Sequence, residues 1–222
     1  MCKAVLEESI TGRAIAKGII EINYIDIREF STDKHRRVDD YPYGGGGGMV
    51  MQVQPVIDAY NSIVEKLDYK PLCIYMSPQG QVFSQKKACE LAENQKHIIL
   101  LCGHYEGIDE RIIEEIVDFE LSIGDYVLTG GEIPAITVVD AVSRMIPGVL
   151  AGEDSFKDES IYNDLLEYPQ YTRPEVYNGK RVPDVLLSGN HANINKWRFD
   201  KSIERTKLKR PDLYKKWSEN NE

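Results

Sequence analysis

Short apolar runs alternate along the chain with segments of helical periodicity, and this alternation constrains the fold more than any other feature. The runs that resemble strands are 19–27, 72–77, 97–102 and the last residues of 107–123. The segments with helical spacing are 53–67, 85–93 and 135–146. Because strands alternating with helices are typical of a parallel sheet covered by helices, we predict an α/β fold with a mostly parallel sheet.

The chain changes character after Pro147. Residues 150–172 are polar and acidic and contain tyrosines, which favours a linker, whereas 191–210 has the spacing of an amphipathic basic helix. We therefore predict an α/β domain over 1–150, a flexible interdomain linker over 151–168 and a small basic helical domain over 169–222.

Charge is divided unevenly between these parts. The net charge is −9, but 173–217 contains twelve Lys or Arg and five Asp or Glu, so that region carries +7 and the remainder −16. Such asymmetry favours an end that binds a polyanion, carried on an acidic body. On charge alone, a solvated basic helix without such a partner is an equally good interpretation.

Several classes of protein do not fit the sequence. No apolar run approaches the ~18–20 residues that span a bilayer, and the first residues lack the continuous apolar stretch of a secretory signal. The four cysteines form no Cys-x-x-Cys pair and no cluster with the four histidines. We expect no membrane partner, free thiols in a reducing cytoplasm and no structural metal site.

Glycines cluster where the predicted strands end, in 41–49, 76–81, 102–109 and the run SIGDYVLTGGEIP at 122–134. Loops at the carboxyl ends of strands commonly form a ligand pocket. Neither a P-loop nor a Gly-x-Gly-x-x-Gly motif is present. His104 is the main basic residue in these loops, whereas the acidic residues are Glu106, Asp109, Asp125 and Glu132. A cationic ligand, such as a sulfonium cofactor, fits this charge better than a phosphate-rich one.

Seven segments, in order, resemble the bacterial tRNA (guanine-N1)-methyltransferases of the SPOUT class. They are HRRVDDYPYGGGGGMVMQVQP, YMSPQG, CGHYEGIDERI, SIGDYVLTGGEIPA, AVSRMIPGVL, LLEYPQYTRPE and VPDVLLSGNHANINKWR. The resemblance implies an α/β domain that ends in a trefoil knot, followed by a small α-helical domain. It also implies a cytoplasmic homodimer, with active sites shared between subunits, that methylates N1 of guanosine 37 in tRNA.

The resemblance further implies that the knot loops bind S-adenosyl-L-methionine. The residues carried over are Tyr75, Ser77, Pro78, Gln79, Gly103, Tyr105, Glu106, Gly107, Ser122, Ile123, Gly124, Asp125, Tyr126, Val127, Leu128, Gly130, Gly131 and Pro134. The glycines would let crossing main chains and the adenine approach where a Cβ would clash.

For catalysis, the resemblance assigns Arg144 to the guanine oxygen side. The alternative interpretation is a cation at a helix C-terminus before Pro147, where it would complement the helix dipole. Deprotonation of N1 needs a general base, and two acids are candidates. Without gaps, the family's acid falls on Glu159, whereas the local motif EDSF points to Asp154. We prefer Glu159, because Asp154 requires two compensating length changes.

RNA contacts are implied for His35, Asp39, Gly48, Gly189, His191, Trp197 and Arg198. Packing within the helical domain is the preferred alternative for Trp197. The resemblance also implies a Mg²⁺ dependence, although the sequence has no cluster of metal ligands.

The chain departs from the family pattern in three places. Gly47 stands where a proline is usual, the strand that normally precedes SITGRAIAKG is missing, and the helical domain is shorter than in many relatives. Two other functions therefore remain open. One is a tRNA-binding protein without catalysis, and the other is a knotted methyltransferase acting on another RNA site.

Overall fold

The computed structural model describes residues 1–150, 161 and 164–221. The chain divides into two compact units, Met1–Ala151 and Gly152–Glu222. The first unit is a mixed α/β structure, and the second is mainly helical. Glu159 and Asp154, the two candidate bases, lie outside the described residues.

The first unit contains six helices and five strands among its described residues. The helices are α1 Cys2–Leu6, α2 Ser9–Ala16, α3 Val53–Val64, α4 Gln85–Asn94, α5 Glu110–Ile116 and α6 Glu132–Ser143. The strands are β1 Asp39–Asp40, β2 Val50–Met51, β3 Leu72–Val82, β4 Ile98–Cys102 and β5 Phe119–Ser122. β1 and β2 form a short antiparallel pair.

The central sheet has three parallel strands in the order β4–β3–β5. Side chains of β3 alternate between its two faces. Cys73 and Tyr75 pack with residues of α3 and α5, whereas Ile74 and Met76 pack with residues of α4 and α6. Since both faces are covered, β3 needs a continuous apolar run, which its sequence provides. The predicted mixed α/β fold with a parallel sheet is confirmed.

Two strand predictions require correction. Residues 20–26 form no strand, and a 3₁₀ turn follows at Ile27–Phe30, begun by the Asp26 side chain accepting a hydrogen bond from the Arg28 N–H. Tyr24 and Ile25 are exposed there, because no strand of the sheet lies beside them to bury an apolar face. β3 continues past 77 to Val82, because Met76 and Gln81 both pair with Leu121 around a bulge.

In the second unit, a small hairpin precedes three helices. Its strands are β6 Val176–Tyr177 and β7 Lys180–Arg181, and its helices are α7 Asp184–Leu187, α8 His191–Lys209 and α9 Pro211–Asn221. α8 begins after Asn190, whose side chain caps the Asn193 N–H. Thr206, fully buried on α8, accepts a hydrogen bond from the Leu166 N–H at 2.8 Å. The main chain at Leu166 is thus hydrogen-bonded to α8.

Candidate active site

The inner part of β3 and the segments that follow β4 and β5 surround one cavity of about 220 Å³. These segments contribute Tyr75–Gln79 of β3, Gly103–Gly107 after β4, and 121–124, 126–131 and Pro134 around the end of β5. Every residue predicted from the sequence to bind the cofactor lines this cavity, with the exception of Asp125, which is exposed beside it. The structure therefore brings together residues that are up to 59 positions apart, from Tyr75 to Pro134.

The two longer loops touch through their main chains. The Gly131 N–H donates to the Gly103 carbonyl at 2.9 Å, and the main chains of His104 and Gly130 pair in antiparallel fashion. A Cβ on Gly131 would lie 2.7 Å from the Cα of Cys102, closer than real Cβ atoms come. The glycine at 131 is therefore required by close approach of two chain segments.

Two buried hydroxyl groups hold the turns at the rim of the cavity. Ser122 donates to the Gly124 carbonyl at 3.0 Å and accepts from the Gly124 N–H at 3.1 Å. Ser77 accepts from the Gln79 N–H at 3.1 Å. Beyond these turns Tyr126, Val127 and Leu128 remain exposed, Val127 to 83%. The main chain is thus ordered locally while apolar side chains stay accessible.

The cavity has an acidic border. Glu106 lines it, Asp125 lies beside it, and the Glu132 carboxylate approaches His104 with an Oε1–Nε2 distance of 2.6 Å. Burial raises the pKa of the Cys102 thiol to about 12, so at neutral pH this thiol adds no negative charge. Carboxylates therefore set the field at the cavity, and that field attracts a cation.

The residues directly after the glycine-rich segment 44–48 bond to the cavity loop 103–107 through the main chain. The Glu106 N–H donates to the Met49 carbonyl at 3.1 Å, and the Met51 N–H donates to the Gly107 carbonyl at 3.0 Å. Gly48 has φ +85°, and a Cβ there would lie 2.5 Å from the Glu106 carboxylate. Of the other RNA candidates nearby, Asp39 lies in β1 and pairs with Met51, and His35 lies in the turn before it.

Arg144 caps the C-terminal end of α6, where its N–H donates to the Asp140 carbonyl at 3.2 Å. A cation suits this position because helix C-termini carry partial negative charge.

The remaining RNA candidates lie in the second unit, at or near the start of α8. Gly189 has φ +69°, and His191 is the first residue of the helix. Trp197 packs against Tyr171 with a ring separation of 6.3 Å. The Arg198 guanidinium lies over the Tyr168 ring at 4.8 Å. Trp197 and Arg198 thus have packing partners within the unit.

Many basic side chains of this unit are paired with acids. The pairs are Arg181–Glu175, Lys196–Asp200, Lys201–Glu204, Arg210–Asp212, Lys215–Glu219 and Lys216–Asp164. Within the described part of the chain, six basic residues have no such ion pair: Arg173, Lys180, Arg198, Arg205, Lys207 and Lys209. Of these, Arg198 and Lys207 lie over tyrosine rings and Arg205 donates to the Glu167 carbonyl. The positive charge available to a polyanion is therefore more localised than the residue count suggests.

A larger cavity, of about 430 Å³, lies at the opposite edge of the sheet, between residues 68–72 and 94–97. The rings of Tyr69 and His97 stack there with centroids 5.5 Å apart, and the Lys96 ammonium lies over Tyr69. This larger cavity lies at the N-terminal ends of β3 and β4, and none of the glycine-rich loops lines it. The smaller cavity is therefore the better candidate for the active site.

Comparison with known proteins shows the family. A sequence model described as tRNA (Guanine-1)-methyltransferase TrmD matches residues 1–216. The chain belongs to this family. Three relatives named tRNA (guanine-N(1)-)-methyltransferase each align with 96% of the chain. The relative from Ruminiclostridium cellulolyticum is 65% identical with 91% of its length covered, that from Lachnospira eligens 59% with 89%, and that from Clostridioides difficile 55% with 93%.

The resemblance found in the sequence is thus confirmed at the level of the tRNA (guanine-1)-methyltransferase family. In this member of the family, four residues line the cavity that were not predicted to bind the cofactor: Met76, His104, Leu121 and Thr129. His104 could have been predicted from its position in the chain, because it lies between the two predicted residues Gly103 and Tyr105. Within the described ranges, no group of His, Cys, Asp or Glu could hold a metal ion, and no helix could cross a membrane.

Proposed function

We propose that the chain transfers a methyl group from S-adenosyl-L-methionine to N1 of guanosine 37 in tRNA. Membership of the tRNA (guanine-1)-methyltransferase family implies the reaction and the use of this methyl donor. The structural observation that supports the proposal most is the convergence of two glycine-bearing loops and the inner part of β3 on one acid-bordered cavity.

The residues around the cavity fit the proposed methyl donor. When bound, S-adenosyl-L-methionine supplies an electrophilic methyl group on a positively charged sulfur. Glu106 and Asp125 would favour that positive charge, while exposed main chain between Ile123 and Leu128 would hydrogen-bond the adenine. The ordered turns at Ser77 and Ser122 would keep these groups in position.

The knot and the homodimer belong to the proposal. The main-chain contact between Gly131 and Gly103 supports a chain crossing at this point. Val127, Leu128 and Ile133 are exposed apolar residues around the cavity, which supports a partner subunit completing the site there. We also propose that the protein acts in the cytoplasm, where its tRNA substrate is found. Within the described ranges no group of residues fits the Mg²⁺ that the resemblance implies, so no step is assigned to it.

We propose Arg144 as the cation that stabilises negative charge developing on guanine O6, and Glu159 as the base that removes the N1 proton. Guanine N1 is protonated at neutral pH, so the transfer needs a group that accepts this proton. A guanidinium stabilises the oxygen because charge accumulates on it as the proton leaves. Asp154 remains the alternative base.

We propose that the glycine-rich segment 44–48 guides RNA to the cavity. Gly48 lies against the Glu106 side chain and Met49 accepts a hydrogen bond from the Glu106 N–H, so a nucleotide held by that segment would lie close to the methyl donor. Arg173, Lys180 and Lys209 would contribute phosphate contacts from the second unit.

Mass spectrometry of tRNA nucleosides after incubation with the protein and methyl donor tests the reaction directly. We expect 1-methylguanosine in an unmodified transcript and none in a transcript with adenosine at position 37. Binding of the donor without transfer would favour the non-catalytic alternative, and transfer to the adenosine-37 transcript would favour another RNA site.

The two candidate bases are distinguished by a matched pair of amide substitutions. Glu159→Gln is expected to abolish turnover while the affinity for S-adenosyl-L-methionine stays unchanged, and Asp154→Asn is expected to retain turnover. The reverse pattern would assign the base to Asp154.

A further inference from the structure

His104 and Glu132 connect two walls of the cavity. His104 belongs to the loop after β4, and Glu132 begins α6 directly after the loop 122–131. Their side chains meet with an Nε2–Oε1 distance of 2.6 Å, a short contact even for a charge-assisted hydrogen bond. The His104 side chain is 45% exposed and that of Glu132 is 26% exposed, so both are partly shielded from water.

The pair passes directly over the main chain of Gly130. A Cβ on Gly130 would lie 2.6 Å from Glu132 Oε2 and 2.7 Å from His104 Cε1. Beneath the side chains, the main chains of His104 and Gly130 pair, and the Gly131 N–H donates to the Gly103 carbonyl. The side-chain contact and the main-chain contacts therefore hold the same point of the loop.

We propose that His104 and Glu132 form a clasp that keeps the loop 122–131 closed against the loop 103–107. This inference rests on the proposed function, because the clasp would retain the methyl donor. Residues 123–131 form neither helix nor strand apart from the Gly130 pairing, so ordering them costs conformational entropy. A contact at the end of the loop raises the population of its closed form. His104 and Glu132 are positioning residues, and the effect falls on cofactor retention.

A double-mutant cycle with His104→Ala, Glu132→Ala and the double variant tests the clasp. Dissociation constants are measured by calorimetry for S-adenosyl-L-methionine and for S-adenosylhomocysteine, which lacks the sulfonium charge. Each single substitution is expected to weaken binding of both ligands about tenfold, and the double variant to bind no more weakly than either single variant. The loss is expected to appear to a greater extent in KM for the methyl donor than in kcat.

The two ligands separate a clasp from a direct electrostatic effect. If Glu132 acted only by attracting the sulfonium, its loss would weaken the charged ligand alone, and loss of His104 would not weaken binding. That pattern, or additive effects of the two substitutions, would overturn the inference. A parallel cycle with the near-isosteric variants His104→Gln and Glu132→Gln applies the same criterion if the alanine variants do not fold.

The control is the ion pair Lys87–Glu90 on α4, which has a similar distance of 2.9 Å and lies outside the cavity. Glu90→Ala is expected to leave both dissociation constants unchanged. If the wild type binds neither ligand, the proposed function fails. If the wild type binds and methylates tRNA while the His104 and Glu132 variants bind as well as it does, the clasp alone fails.

Discussion

Substitution of Gly131 by alanine should destabilise the protein through one identifiable collision. Gly131 has φ −78° and ψ −9°, which alanine adopts readily, so the backbone conformation itself adds no strain. The new Cβ would lie 2.7 Å from the Cα of Cys102 and 3.0 Å from the Gly103 nitrogen, both main-chain atoms. Neither can turn aside as a flexible side chain could. We expect a loss of about 1–3 kcal/mol in the free energy of unfolding, typical of an overpacked interior.

Urea denaturation of wild type, Gly131→Ala and Gly47→Ala measures this loss. Gly47 is a matched control, because a Cβ there meets no atom within 4 Å and its φ is not in the left-handed region. We expect Gly131→Ala to lower the denaturation midpoint at an unchanged m-value, and Gly47→Ala to change stability by less than about 0.5 kcal/mol. Because Gly131 lines the cavity, its variant should also bind S-adenosyl-L-methionine more weakly. Equal midpoints and equal affinities in the two variants would refute the reasoning.

Two further predictions concern charge. The Asp118 carboxylate accepts hydrogen bonds from the Cys73 N–H and from the Lys70 ammonium, both at 2.8 Å. Partial burial acts to raise the pKa of Asp118, but these two partners outweigh it and hold the pKa below its usual value. Asp118→Asn should therefore lower the free energy of unfolding by about 1 kcal/mol at pH 7. This difference from wild type should shrink below about pH 4, because the wild-type carboxylate is protonated there. A pH-independent difference in urea titrations would contradict this. In the second unit, Lys180→Ala should reduce the slope of log K, the binding constant for tRNA, against the logarithm of salt concentration by about one. Lys196→Ala should reduce this slope less, because the Lys196 ammonium pairs with Asp200 at 2.8 Å. Equal slopes in filter-binding assays of the two variants would contradict the assignment.

The helices and the core strands could be predicted from sequence because their periodicity reports burial directly. Residues 53–67 were predicted as a helix, and α3 spans Val53–Val64 with Val56 and Ala59 buried. The run 97–102 was predicted as a strand and contains β4. In both segments, a local pattern of apolar residues matches the neighbours that bury them.

The residues at 19–27 show where such a pattern fails. Their alternation of apolar and polar residues suits a strand, but a strand also needs a partner, and the three-stranded sheet offers none beside this segment. Similarly, the extension of β3 to Val82 depends on a bulge that lets Met76 and Gln81 face the same residue of β5. Pairing between distant segments decides both features, and a single strand's sequence carries little information about it.

For the candidate site, the positions of residues along the chain predicted more of the cavity lining than the chemistry of their side chains did. The glycine clusters and the resemblance together named most of the residues that line the cavity, because loops at the carboxyl ends of parallel strands necessarily converge. The contact between His104 and Glu132 was not predicted, since it joins residues 28 positions apart through a loop without regular structure. Only the three-dimensional path of the loop over Gly130 brings them together.

The order of the strands also affects how the protein is made. β3 is the middle strand of the sheet, but both of its neighbours are synthesised after it. While the ribosome has produced β3 and not yet β5, the nascent chain presents an apolar strand with an open edge, and Ile74 and Met76 lack part of their final covering. Open apolar edges promote association between chains, so this protein should depend on rapid elongation or on a chaperone until Ser122 has emerged.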